Sequence, residues 1–215
     1  MPDRDYIDIS RRISEKTAVW PGDTPFSRRW VMSIVDGAAC NTSTITLSSH
    51  TGTHADAPLH FEEGAAGIDA VELGAYLGPC RVIHTRTRAC VTTADLQDVV
   101  LERGMRLLLK TPEAPGDEEW KDDFAFISEE AAGALAKARL ALVGIDTPSV
   151  DPMDSKTMDA HKILLAGGVA ILESLDLSSV PEGNYELIAL PLKIAGGDSS
   201  PVRAVLRPLK GEDEE

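Results

Sequence analysis

An α/β fold built as a single domain over residues 1–215 is what this sequence predicts, because strand-like and helix-like runs take turns along most of its length. Composition agrees, since 43% hydrophobic and 26% charged residues are the proportions of an ordinary globular chain with one sizeable core. No internal repeat or low-complexity block interrupts the pattern.

The elements can be justified in order. Residues 6–9 alternate, 30–35 are β-prone, and 42–47 alternate polar with apolar side chains, so each reads as a strand. A further strand is expected at 81–85. Residues 93–103 read as a helix with a threonine cap and Gly104 as its stop, and 106–110 return to strand. The run PEAPGDEEWKDD at 112–123 combines proline, glycine and a heavy acidic load, which predicts an exposed loop too short to link domains. Ser128 followed by two glutamates starts a helix over 129–138, because acidic side chains favour the positive end of the helix dipole. A strand at 140–144 comes next. Residues 159–166 form a short helix ended by Gly167-Gly168, and 169–172 read as a buried strand with Glu173 at its end. Strands at 185–192 and 202–206 complete the series, and 207–215 read as an acidic tail.

Charge and cysteine usage exclude several classes. A net charge of −14, with no basic cluster to offset it, repels phosphate backbones and anionic lipids, so neither nucleic acid nor membrane is an expected partner. No stretch is apolar enough to span a bilayer, and the N-terminus is charged where a secretory leader needs to be apolar. A cytoplasmic location is therefore expected. Cys40, Cys80 and Cys90 are odd in number and form no C-x-x-C pair, which predicts free thiols without a nucleophilic role.

The chemistry concentrates in one short run, HTGTHADAPLHF. Here His50, His54 and His60, three of the five histidines, fall beside Asp56. Imidazole and carboxylate are the side chains that bind divalent cations and move protons near neutral pH. On an extended backbone His54 and Asp56 point to one face, and Thr-Gly-Thr lets the chain bend so that His50 converges on them. Pro58 stiffens the exit and sets His60 at a defined distance, which suits a proton-transfer group, although spacing alone leaves His60 open as a further ligand. Glu173 ends an otherwise apolar strand. Burying its carboxylate without a partner is costly, and a cation is a natural explanation, although His161 and Glu173, on adjacent elements, also read as surface residues or a structural pair. His84 reads as a structural histidine, and Asp146 and Asp151 read as acids that brace a loop.

The ungapped H-x-G-T-H-x-D-x-P-x-H core, the WPGD at 20–23, the GIDTPSVD at 144–151 and the region from His161 to Glu173 together resemble the metal-dependent cyclase-like hydrolases. More narrowly they resemble the bacterial kynurenine formamidases, over residues 6 to 206. The resemblance implies a swivelling β/β/α fold assembled as a homodimer. It implies a two-zinc centre held by His50, His54, Asp56, His161 and Glu173, with Asp56 and Glu173 contacting both ions. It makes His60 the proton donor and acceptor and Trp20 a residue flanking the substrate. The implied reaction is hydrolysis of N-formyl-L-kynurenine, an aryl formamide, to L-kynurenine and formate in tryptophan degradation. Nitrogen and oxygen ligands also admit manganese or cobalt. Two other readings stand beside it: a relative that opens a cyclic amide such as isatin, and a non-catalytic protein with structural ions. Structural zinc sites are usually closed and rich in cysteine, unlike this set.

Overall fold

A computed structural model describes residues 6–209. Thirteen strands occur in chain order among them. They are β1 (Ile7–Asp8), β2 (Ser27–Met32), β3 (Thr42–Thr46), β4 (His54–Asp56), β5 (Leu77–His84), β6 (Cys90–Val91), β7 (Arg106–Lys110), β8 (Phe126–Ile127), β9 (Leu142–Ile145), β10 (Ala170–Glu173), β11 (Gly183–Ile188), β12 (Ser199–Pro201) and β13 (Val205–Pro208). Two α-helices, α1 (Glu129–Ala138) and α2 (Asp159–Ala166), accompany them.

Nine strands form one mixed sheet in the order β1-β13-β11-β5-β7-β9-β10-β4-β12. Its middle, from β5 through β10, is parallel, and both flanks are antiparallel. The parallel strands are short apolar runs because both of their faces are covered. Leu107, Leu109, Val143, Ile145 and Ile171 point to the face covered by α1 and α2, whereas Leu108, Leu142 and Leu172 point to the other, where Tyr76, Tyr185 and Leu187 complete a second core. Gly144 sits at the tightest place in that second layer. A β-carbon there would lie 2.6 Å from Leu108 Cδ2 and 2.8 Å from Leu175 Cδ1, so a larger residue would overpack the strand.

Both helices match their expected bounds, and each cap has an identifiable cause. Ser128 Oγ accepts from Ala131 N at 3.1 Å, with Glu129 and Glu130 in the first turn of α1. Helix α2 lacks a side-chain cap of its own, because Met158 occupies the N-cap in a left-handed conformation. A distant acid does the work instead: Asp151 accepts from Ala160 N and His161 N, both at 3.0 Å.

Several expectations need correction. The helix expected over 93–103 is one 3-10 turn, Thr93–Asp95. Its capping box is present, but the Asp95 carboxylate also accepts from Arg86 N, and Leu96, Val99 and Leu101 pack into the helix-side core from an irregular segment. Side-chain burial there overrode a weak propensity that the β-branched Val99-Val100 pair lowers further. The strand expected over 202–206 is divided, Ser199–Pro201 pairing with β4 and Val205–Pro208 with β11 and β1. Arg207 and Pro208, placed in the acidic tail, are therefore part of the sheet, and Arg207 pairs with Glu186. The rest of that tail, from 210, lies outside the described residues. Among the described residues no helix is long and apolar enough to cross a membrane.

The hairpin of β2 and β3 stands apart from this sheet. Every residue in its two strands is exposed, including Trp30, Val31, Met32 and Ile45.

Candidate metal centre

The site forms where β4 runs antiparallel to β10, so that His54 stands directly opposite Glu173. Before β4, Gly52 takes a φ of +67°, a conformation that costs glycine little, and a β-carbon there would meet Ile13 at 3.1 Å. This bend brings His50 back over the strand. Along β4, His54 and Asp56 share a face by the two-residue period, and His161 arrives from the first turn of α2. Five residues predicted as ligands from opposite ends of the chain are thus brought together.

Three imidazoles converge with their outer nitrogens already engaged. His54 Nδ1 donates to the Gly52 carbonyl at 2.8 Å, His161 Nδ1 to Asp151 Oδ2 at 2.6 Å, and His50 Nε2 to Asp198 Oδ2 at 3.0 Å. The inner nitrogens face two carboxylates. His50 Nδ1 and His54 Nε2 stand 3.3 and 3.6 Å from Asp56 Oδ1, and His54 Nε2 stands 3.3 Å from Glu173 Oε2. His161 Nε2 is 3.3 Å from Asp56 Oδ2 and 3.0 Å from Glu173 Oε1.

These inner contacts are close but mostly fail as hydrogen bonds. Both oxygens of Asp56 and the Nε2 of His54 are buried with no hydrogen-bond partner, on side chains that are 1% and 2% exposed. Leaving such atoms unmatched is expensive. Atoms that converge without bonding one another, each imidazole steadied from behind, make a donor set that fits a divalent cation. Two groups meet that description, His50 with His54 and Asp56, and Asp56 with His161 and Glu173. A carboxylate shared between two groups can bridge two ions.

Protons compete for the same positions. Burial pulls the pKa of His50 down, but Asp56 and Asp198 outweigh it and push it up to about 9. Burial likewise opposes protonation of His161, and Glu173, Asp151 and Asp56 raise its pKa despite that. A cation must displace these protons, so binding weakens as pH falls.

His60 lies close by but in a different environment. Its ring is 4.1 Å from that of His50 and 4.2 Å from Phe61, and Nδ1 is 3.5 Å from Asp198 Oδ2. Burial lowers its pKa more than Asp56 raises it, so the ring is neutral at neutral pH.

A cavity of about 450 Å³ opens above the cluster, within the usual range for small-molecule sites of roughly 300–1,000 Å³. Trp20 lines it, as does Trp120, whose ring packs edge-on at 5.2 Å, with Phe124 behind. The acidic segment 112–123, expected to be simply exposed, supplies one wall. Arg11 holds that wall by donating to Pro115 O and Asp117 Oδ1 on one side and to Asp146 O on the other.

The remaining candidates are placed outside the chemistry. His84 bonds the Val180 carbonyl at 2.9 Å as a structural histidine. All three cysteines are free, and burial pushes the Cys80 thiol up to about 12, which removes its nucleophilic form. Asp146 accepts from Thr111 as a brace. Asp151 braces helix α2, and beyond the sequence expectation it also anchors His161. Asp198 was missed altogether. The GGDSS run that carries it has no periodicity, and only the pairing of β12 with β4 brings it to His50.

The Cyclase family model matches residues 7–152, including the His50–His60 run. This chain belongs to the cyclase family. A potential metal-dependent hydrolase with cyclase activity is 32% identical to it, with a TM-score of 0.83 over 96% of this chain and 98% of that one. A predicted metal-dependent hydrolase from Bacillus stearothermophilus is also 32% identical, with a TM-score of 0.81 over 94% and 97%. Isatin hydrolase A from Labrenzia aggregata shares the fold at 23% identity, with a TM-score of 0.80 over 94% and 92%. The α/β fold of this cyclase chain, a curled mixed sheet with two helices, is the one these relatives share.

Proposed function

We propose that the chain is a metal-dependent amide hydrolase that converts N-formyl-L-kynurenine to L-kynurenine and formate. The observation that carries the hydrolase reading is the unpartnered set of Asp56 and His54 atoms beneath an open cavity, with the structurally similar hydrolases in support. The aryl formamide is favoured by the edge-packed Trp20 and Trp120, because an aromatic ring against them adds about 0.5–1.5 kcal/mol beyond burial.

His50, His54, Asp56, His161 and Glu173 would hold two ions, with zinc expected and manganese or cobalt also suited to the ligands. A divalent cation in this position lowers the pKa of water from about 15.7 to about 7 and polarises a carbonyl oxygen. His60 supplies the proton traffic. With Nδ1 turned to Asp198, its Nε2 takes a proton from the water that adds to the formyl carbon. It returns that proton to the aryl nitrogen as the carbon–nitrogen bond breaks, so the amine leaves neutral. Trp20 holds the aromatic ring while this happens.

A second reading, opening of a cyclic amide, is favoured by the likeness to isatin hydrolases. Both substrates offer an aryl amide, so assaying them side by side separates the readings. N-formylkynurenine should be hydrolysed, with isatin turned over far more slowly. A chelator should abolish the activity, and zinc or manganese should restore it. Activity that survives complete metal removal would refute the mechanism, and isatin as the better substrate would replace the assignment.

We further propose a homodimer, supported by the exposed β2–β3 hairpin. A lone two-stranded hairpin is marginally stable in water, and Trp30, Val31, Met32 and Ile45 offer it apolar cover only if another surface meets them. Light scattering should give twice the chain mass, with Ile45→Asp shifting it toward the monomer. A monomer at micromolar concentration ends this reading.

A further inference from the structure

We infer that Asp198 is a positioning residue that holds the ring of His50, as a metal ligand, and the ring of His60, as the proton carrier, in one fixed arrangement. The inference rests on the metal reading of His50 given above. One oxygen serves both rings: Asp198 Oδ2 is 3.0 Å from His50 Nε2 and 3.5 Å from His60 Nδ1. The other oxygen accepts from Ser49 Oγ at 3.0 Å, which stops the carboxylate from turning.

The backbone fixes the acid as well. Asp198 O accepts from Ala57 N at 2.9 Å, and the next residue, Ser199, stands opposite Asp56 in the β12–β4 pairing. The acid is therefore tied to the same segment whose histidines it orients. His50 and His60 line the cavity, and Asp198 stands behind both rings.

The two edges of His50 then have different tasks. Nδ1 faces Asp56 at 3.3 Å on the metal side, and Nε2–H donates to Asp198 on the far side. A carboxylate behind a ligating imidazole sets its tautomer and its rotation about Cβ–Cγ, and losing such a partner typically weakens metal affinity or activity by about 10–100-fold. For His60 the same oxygen stands 3.5 Å from Nδ1, which favours the ring orientation that leaves Nε2 free for proton transfer. The two rings lie 4.1 Å apart at 37°, both beside the Asp198 carboxylate, which accepts a hydrogen bond from His50 and stands 3.5 Å from His60 Nδ1.

The test uses the full chain and a titration of zinc, then manganese, against a competing chromophoric chelator. For Asp198→Ala the dissociation constant should rise about 10–100-fold while the number of ions bound at saturation stays that of the parent. At saturating metal, kcat on whichever amide the parent hydrolyses should fall by about tenfold or more with KM unchanged, as expected for proton transfer that has lost its alignment. Asp198→Asn, which keeps the volume and one acceptor oxygen, should fall between the parent and the alanine variant. Ser49→Ala should move the same quantities in the same direction but less. Should the alanine variant fail to fold, those two milder variants carry the comparison. An unchanged metal dissociation constant in Asp198→Asn and Ser49→Ala overturns the inference. So does loss of one whole ion equivalent, which would make Asp198 a ligand. Failure of the parent to hydrolyse any amide would strike the reaction proposed above and leave the metal titration to decide this point alone.

Discussion

Asp56→Asn should leave the protein unable to retain metal and lower its hydrolytic rate by on the order of 10³-fold or more, given that even partners behind a ligand cost about 10–100-fold. Asp56 touches three imidazoles within 3.3–3.6 Å and belongs to both ligand groups, so its loss removes the group common to them. The amide keeps the shape but carries no charge and turns a donor toward the place a cation would occupy. Stability provides a second readout. A ligand that binds only the folded state stabilises it by about 4.1 kcal/mol at a thousand times its dissociation constant. The parent should therefore melt at a clearly lower temperature with chelator than with zinc, and Asp56→Asn should melt at one temperature in both. Parent-like metal content and turnover in this variant would overturn the centre as described.

His60→Ala should separate chemistry from binding. Metal content and its effect on melting should stay those of the parent, because the inner nitrogens of His50, His54 and His161 face the carboxylates without help from His60. Turnover should fall by about 10²–10⁴-fold, the usual value of a positioned acid–base group. His60 is part-exposed to the cavity and kept neutral by its surroundings, so it can accept a proton without first losing one. Measuring kcat at saturating zinc alongside metal content checks both halves. Loss of an ion equivalent would make His60 a ligand, as its membership of a third possible group with His50 and Asp198 would allow.

Much of this centre was legible because local rules governed it. The two-residue period of β4 placed His54 with Asp56, Gly52 supplied the bend, and Ser128 with two glutamates marked the start of α1. Helix α2 ended at its glycines as expected, and Glu173 betrayed itself as an acid closing an apolar strand. What escaped was long-range. Asp151 and Asp198 resemble turn acids in sequence, and only folding shows that each steadies an imidazole from behind. The segment after Thr93 failed in the opposite way, for its cap was sound while the core claimed its apolar side chains. The acidic loop escaped notice as a cavity wall because its tether, Arg11, comes from the far end of the sequence.

The opposition of His54 and Glu173 across β4 and β10 also dictates an order of events during synthesis. Roughly 120 residues separate the two, and drawing the ends of so long a loop together costs entropy that a growing chain cannot recover until its last third has emerged. The histidine-rich run leaves the ribosome early, while His161 and Glu173 are still unmade. A cation that needs all five side chains can therefore be seated only once Glu173 has been made, late in translation.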